Sequence, residues 1–127
     1  MELKKIKKIL REFAQERSWD QFHSPKNLSM ALAGEAGELL ELFQWLKEEE
    51  SFVEKMTQKN LEKAEEELAD IFLYLIRLAD KLNIDLESAA LKKITINKEK
   101  YPVSLSKNSA IKYNRRDEQD NTAAVRQ

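Results

Sequence analysis

Cysteine is absent from this chain of 127 residues. A disulfide framework, a thiolate nucleophile and a cysteine-ligated zinc or iron–sulfur cluster are all excluded with it, and a reducing cytosol is the compartment that suits such a sequence. Histidine occurs once, at His23. Multi-histidine metal sites fall away too, leaving carboxylates as the main candidates for acid, base and ligand roles. Glycine and proline occur only twice each, and no Val/Ile/Thr-rich alternating run is present. With so few turn signals and no strand pattern, the chain is expected to be all-α. Nor does one sign of charge dominate: 22 Lys and Arg stand against 23 Asp and Glu, for a formal net charge of −1. Such a balance gives no general attraction to nucleic acid polymers or acidic membranes. Long apolar runs are missing at the start, where lysines interrupt MELKKIKKILREF, so neither a signal-peptide core nor a membrane span is expected there. On these grounds the protein is expected to be soluble, unprocessed and cytoplasmic.

What remains, 42% hydrophobic and 35% charged residues, supports a compact core under an ionised surface. Leu3, Ile6, Leu10 and Phe13 recur at helical spacing and predict an amphipathic helix over residues 3 to 17. Ser24 followed by Pro25 fits an N-cap and first helical residue, because proline's missing N–H costs nothing there. Trp19 to His23 then form a short loop. A second helix is expected from Pro25 to Leu46, about 33 Å long, with apolar residues pointing in more directions than one partner covers. The third, Gln58 to Leu82, should be more buried in its second half. Asp85 suits the N-cap of a fourth, which stops near Pro102. Four helices in a chain this short hide their apolar faces only partly, so a symmetric homodimer or homotetramer is expected. Residues 1–103 read as the domain and 104–127 as a polar, mobile C-terminal tail.

The chemistry concentrates in Gly34-Glu35-Ala36-Gly37-Glu38, which holds both glycines of the protein. Each costs a helix interior about 1 kcal/mol relative to alanine, so close approach of a helix or ligand is the physical reading. Glu35 and Glu38 are three apart and share a helix face. Glu67 and Asp70 repeat that spacing on the third helix. One such pair reads as solvated surface charge, as do Glu41, Glu62, Glu65 and Glu66. Two matched pairs on antiparallel helices would bring four carboxylates together, a cluster costly to bury without protons or cations. Oxygen ligands alone suit Mg²⁺, with Mn²⁺ possible, and Mg²⁺ keeps positions that phosphates can take. Tyr74 lies two turns after Glu67 and Trp45 two turns after Glu38. With Trp19 and His23 they offer either flat walls for a nucleobase or ordinary core packing. Lys93 and Asn97, four apart, read either as phosphate and sugar contacts or as part of an exposed basic helix.

Taken together, RSWDQFHSPKNLSMALAGEAGELLELFQW, EELADIFLYLIRLAD and KKITINKEKYP resemble the MazG-like all-α nucleotide pyrophosphohydrolases, in particular their dCTP pyrophosphatase branch, over about residues 10 to 115. The resemblance implies a four-helix bundle and Mg²⁺-dependent hydrolysis of a nucleoside triphosphate, dCTP or a modified dCTP, to monophosphate and pyrophosphate in nucleotide-pool housecleaning. It implies metal-binding and catalytic roles for Glu35, Glu38, Glu67 and Asp70. Trp19, His23, Trp45 and Tyr74 match the base pocket, and Lys93 and Asn97 match polar residues near the nucleotide. Two other classes remain open at this point. A carboxylate-bridged di-iron or di-manganese bundle would need ExxH pairs that a single histidine cannot supply. A noncatalytic helical oligomer binding nucleotide or a protein partner is opposed only by the matched acids and glycines.

Overall fold

The computed structural model describes residues 2–107, which contain helices and no strand. The helices are α1 (Leu3–Glu16), α2 (Pro25–Phe43), α3 (Gln58–Lys81), α4 (Leu86–Lys100) and the single turn α5 (Val103–Ser106), with 3₁₀ turns at Asp20–Phe22, Glu48–Ser51 and Val53–Lys55. The four long helices are those expected; α5 and the 3₁₀ turns are additions. The mobile tail expected after residue 104 lies, from residue 108 onward, outside the described residues. Backbone contacts divide the chain between Leu86 and Glu87 into two units, the first holding α1, α2 and α3. Among the described residues no helix is long and apolar enough to cross a membrane.

Local chemistry sets the helix ends. The Ser24 hydroxyl accepts from the Asn27 N–H at 3.1 Å, and Pro25 takes the first position of α2. Thr57 caps α3 in the same way, accepting from the Asn60 N–H at 3.1 Å. At the other ends α1 and α3 close without glycine. Ser18 and Asn83 both adopt φ of 55°, the left-handed conformation that turns a chain off a helix. Beyond them the Trp19 N–H reaches the Ala14 carbonyl at 2.8 Å, and the Ile84 N–H reaches that of Ala79 at 2.9 Å. These are the six-to-one bonds of a Schellman motif.

Helix α2 stops at Phe43, three residues short of its expected end at Leu46. The Leu46 N–H turns back to the Phe43 carbonyl at 3.0 Å, and the Glu50 carboxylate accepts from the Lys47 N–H at 3.0 Å. Capping by Glu50 starts a new turn where the sequence has neither glycine nor proline to mark a stop.

Within the first unit α3 is central, packed along α2 and against α1. Glu35 feels the charge of Asp70 while Glu38 acts on Lys63, so the order along α2 is reversed along α3 and the helices run antiparallel. Ala14, Leu28, Ala64, Ile76 and Ala79 form the buried apolar core, and Glu67 and Arg77 are the charged residues buried with them. The second half of α3 is the more buried, as expected. Asp80 takes a two-pronged contact from Arg11 of α1, from Nε at 2.6 Å and from Nη2 at 2.5 Å. Asp20 accepts from Arg77 and from Lys81 at 2.6 Å, tying the 3₁₀ turn to α3. Both aspartates are held below the usual carboxylate range, Asp20 chiefly by Lys81 and Asp80 chiefly by Arg11. Their contribution to stability is present above pH about 4 and fades as pH falls through the lowered values.

Candidate metal centre

Glu35 and Glu38 project from the middle of α2 and Glu67 from α3, and one carboxylate oxygen from each lies within 4.8 Å of the others. Their surroundings differ. Glu67 is buried at 2% exposure, Glu35 is half-buried and Glu38 is exposed. Three carboxylates this close cannot all be ionised without cost. The Glu35 carboxyl is accordingly pushed up from 4.5 to about 7, first by its hydrogen bond to Glu67, then by desolvation and the charges of Glu38 and Asp70. Glu67 moves the other way, stabilised as the carboxylate by the hydrogen bonds from Glu35 and Lys63. Of the two, Glu35 is the carboxyl that keeps a proton to the higher pH and Glu67 the one that ionises first.

A cation fits this donor set. Oε2 of Glu35 and Oε2 of Glu67 are both buried without a hydrogen-bond partner, a state that costs free energy unless something positive answers it. All the donors are hard oxygens, the set that suits Mg²⁺ or Mn²⁺. One positive group already serves there: Lys63, one turn before Glu67, places its ammonium 3.1 Å from Glu67 Oε1. The four-residue spacing was visible in the sequence, but Lys63 reads there as one charge among many.

Asp70, the fourth expected ligand, acts on Glu35 through its charge and stands outside the three-carboxylate group. Of the two partners expected at the glycines, a helix or a ligand, the helix is not there among the described residues. A methyl group on Gly34 or Gly37 would meet nothing within 4 Å, so among the described residues no element of this chain approaches there. Helix α2 meets α3 through its other side, and its glycine face lies open.

Of the aromatic set, Trp19 lies edge-on to Phe13 at 5.6 Å between ring centres and edge-on to His23 at 6.5 Å, making one compact group. Tyr74 is half-buried on α3, one turn past Asp70. Trp45 is not in the expected position. Because α2 ends at Phe43, the two-turn stripe from Glu38 is not formed, and Trp45 stands 87% exposed beyond the helix. Lys93 and Asn97 are exposed on α4, in the second unit. Sequence reasoning missed the Asp20, Arg77 and Asp80 network. Its signal was an arginine breaking the apolar run IFLYLIRLAD. The network lines a cleft of about 450 Å³ whose cations Arg11, Arg77 and Lys81 face Asp20 and Asp80, so its charges are already answered within the chain.

A model of the MazG-like family matches residues 31–115. dCTP pyrophosphatase 1 of Bos taurus is 47% identical over 111 residues, which make up 87% of this chain and 66% of that protein. The Homo sapiens dCTP pyrophosphatase 1 is 43% identical over 111 residues, 87% of this chain and 65% of its own length. The chain thus spans just under two thirds of these relatives. Among solved structures, a pyrophosphatase from Archaeoglobus fulgidus superposes with a TM-score of 0.73 at 36% identity, covering 80% of this chain and 94% of that one.

Proposed function

Because this chain belongs to the MazG-like family, we propose that it is a nucleoside triphosphate pyrophosphohydrolase acting on dCTP or a 5-modified dCTP. One water is consumed in breaking the anhydride between the α and β phosphates, and the monophosphate and pyrophosphate leave. One observation carries this reading: the three carboxylates gathered within 4.8 Å from two antiparallel helices, with two of their buried oxygens unpartnered. The relatives named above supply the substrate class.

In this reading Glu35, Glu38 and Glu67 hold Mg²⁺ or Mn²⁺, with Asp70 completing the acidic set. A divalent ion held by these residues would supply charge neutralisation for the triphosphate and a template for the attacking water. In the metal-free site the Glu35 carboxyl is raised to about 7 by its acidic neighbours, so taking up a cation at neutral pH displaces a proton from it. Glu67, favoured as the carboxylate first by its hydrogen bond from Glu35 and then by Lys63, supplies negative charge. The family resemblance assigns Trp19, His23, Tyr74 and Trp45 to the base, Trp45 from the turn beyond α2 instead of from its helix face, and Lys93 and Asn97 to polar contacts with the nucleotide. The site acts in the cytoplasmic nucleotide pool and does not take nucleic acid polymers.

The test is a panel of ribo- and deoxynucleoside triphosphates with Mg²⁺, reading monophosphate and pyrophosphate separately. Deoxycytidine substrates should give one pyrophosphate per monophosphate. Turnover of purine or ribonucleotides alone overturns the substrate assignment. Tight Mg²⁺–nucleotide binding without hydrolysis overturns the enzymatic one and favours a noncatalytic binder.

Self-association belongs to the same proposal. Helix α2 fully buries only Leu28, while Met30 and Leu40 remain 62% and 57% exposed, as do Leu91 and Ile94 of α4 at 61% and 50%. Apolar surface of this extent on separate helices supports a homodimer or homotetramer. Sedimentation equilibrium should return a multiple of 14.9 kDa; a stable monomer at micromolar concentration overturns it.

A further inference from the structure

His23 sits between the 3₁₀ turn and the N-cap of α2, and its Nδ1 is 3.1 Å from Nε of Arg77. A guanidinium has only donors. Nδ1 must therefore be the bare nitrogen, and the single proton of the neutral ring resides on Nε2. Arg77 has little freedom to be elsewhere. It is 6% exposed, its Nη2 donates to the Asp20 carboxylate, and its Nη1 lies 3.5 Å from Asp80 Oδ2. An arginine anchored by two aspartates is thus aimed at the sole histidine.

We propose that Arg77 is a positioning residue that fixes His23 as the neutral Nε2–H tautomer, so that this side chain offers the nucleotide a hydrogen-bond donor. The second half of that statement rests on the proposed function. The ligand group it selects is an acceptor, a carbonyl oxygen or imine nitrogen of a base. An imidazolium is disfavoured at the same place. Desolvation, Arg77 and Lys81 of α3 all lower the affinity of His23 for a second proton, and Asp20 of the 3₁₀ turn is the one opposing charge.

One histidine in the chain makes the test direct. In a long-range ¹H–¹⁵N correlation spectrum of the free, full-length protein at pH 7, the His23 signals should show Nδ1 unprotonated and Nε2 protonated. Titration should place its midpoint below the ordinary 6.5. A protonated Nδ1, an even mixture of tautomers or an imidazolium at that pH overturns the proposal with no variant needed. Arg77→Met should then mix the tautomers and raise the midpoint, with Arg77→Lys restoring part of both effects. With dCTP, Arg77→Met should raise KM roughly tenfold, the cost of one hydrogen bond, at nearly constant kcat. An unchanged KM overturns the link to the nucleotide. Absence of any turnover in the parent protein defeats the proposed function but leaves the spectrum unaltered, so the two failures are distinguishable.

Discussion

Glu35→Gln is expected to lower kcat/KM for dCTP at least about a hundredfold, the range for loss of a general base or a metal-orienting group, and to raise the melting temperature of the chelated protein at pH 8. Opposite effects on activity and stability are the signature of an acid placed for chemistry. In the unfolded chain a glutamate titrates near its ordinary value, whereas folded Glu35 titrates near 7. Between those values the folded protein binds more protons than the unfolded one. This group's contribution is therefore greatest below the ordinary value, is lost as pH rises to about 7, and stays lost above it. Glutamine keeps the shape and does not titrate, so the variant escapes that loss and its advantage is largest in alkali. Glu41, exposed on the same helix, is the control: Glu41→Gln should leave turnover and the pH profile of melting as they are. Activity within a few-fold of the parent in Glu35→Gln, or an unchanged melting temperature at pH 8, would remove Glu35 from the site.

How much of this was legible in advance varies residue by residue. Ser24 and Pro25 announce the start of α2 because capping is local, and Thr57 does the same for α3. The helix ends at Ser18 and Asn83 are harder, since neither is glycine and the left-handed turn is held by bonds back to Ala14 and Ala79. The end of α2 depends on Glu50 reaching back to Lys47, a choice that helical periodicity through FQWL does not reveal, and with it goes the expected placement of Trp45. Acid spacing on each helix was legible, and so was the meeting of Glu35, Glu38 and Glu67. The outlying place of Asp70 was not, because spacing cannot show how two helices are rotated against each other. The glycines left open which of two partners, a helix or a ligand, comes close to them. Their cost in a helix is a property of the sequence, but what lies opposite them is a property of packing, and among the described residues that side is open. Arg77 was least legible of all: its meaning comes from Asp20 and His23, 57 and 54 residues away.

Millimolar Mg²⁺ should raise the melting temperature of the parent protein by about 10 °C or more. Saturation a hundredfold above Kd stabilises the folded state by about 2.7 kcal/mol, and 1 kcal/mol moves a domain of this size by roughly 4 °C or more. Glu67→Gln should abolish the shift, because Glu67 is the buried carboxylate of the group. Lys63 allows a finer test that does not depend on turnover. Its ammonium lies 3.1 Å from Glu67 Oε1 and offsets part of the acidic charge in the metal-free protein, so it competes with any second cation for the same oxygen. Lys63→Met removes the competitor and the compensation together. The chelated variant should melt lower than the parent, its Mg²⁺-induced shift should be larger, and the Mg²⁺ midpoint should fall roughly two- to fivefold. That modest fall is what losing a solvent-screened ion pair should give. A midpoint that stays put or rises would mean that Lys63 assists the metal rather than standing in for it. A melting temperature indifferent to Mg²⁺ in the parent would show that these three carboxylates gather for some other cation or for none.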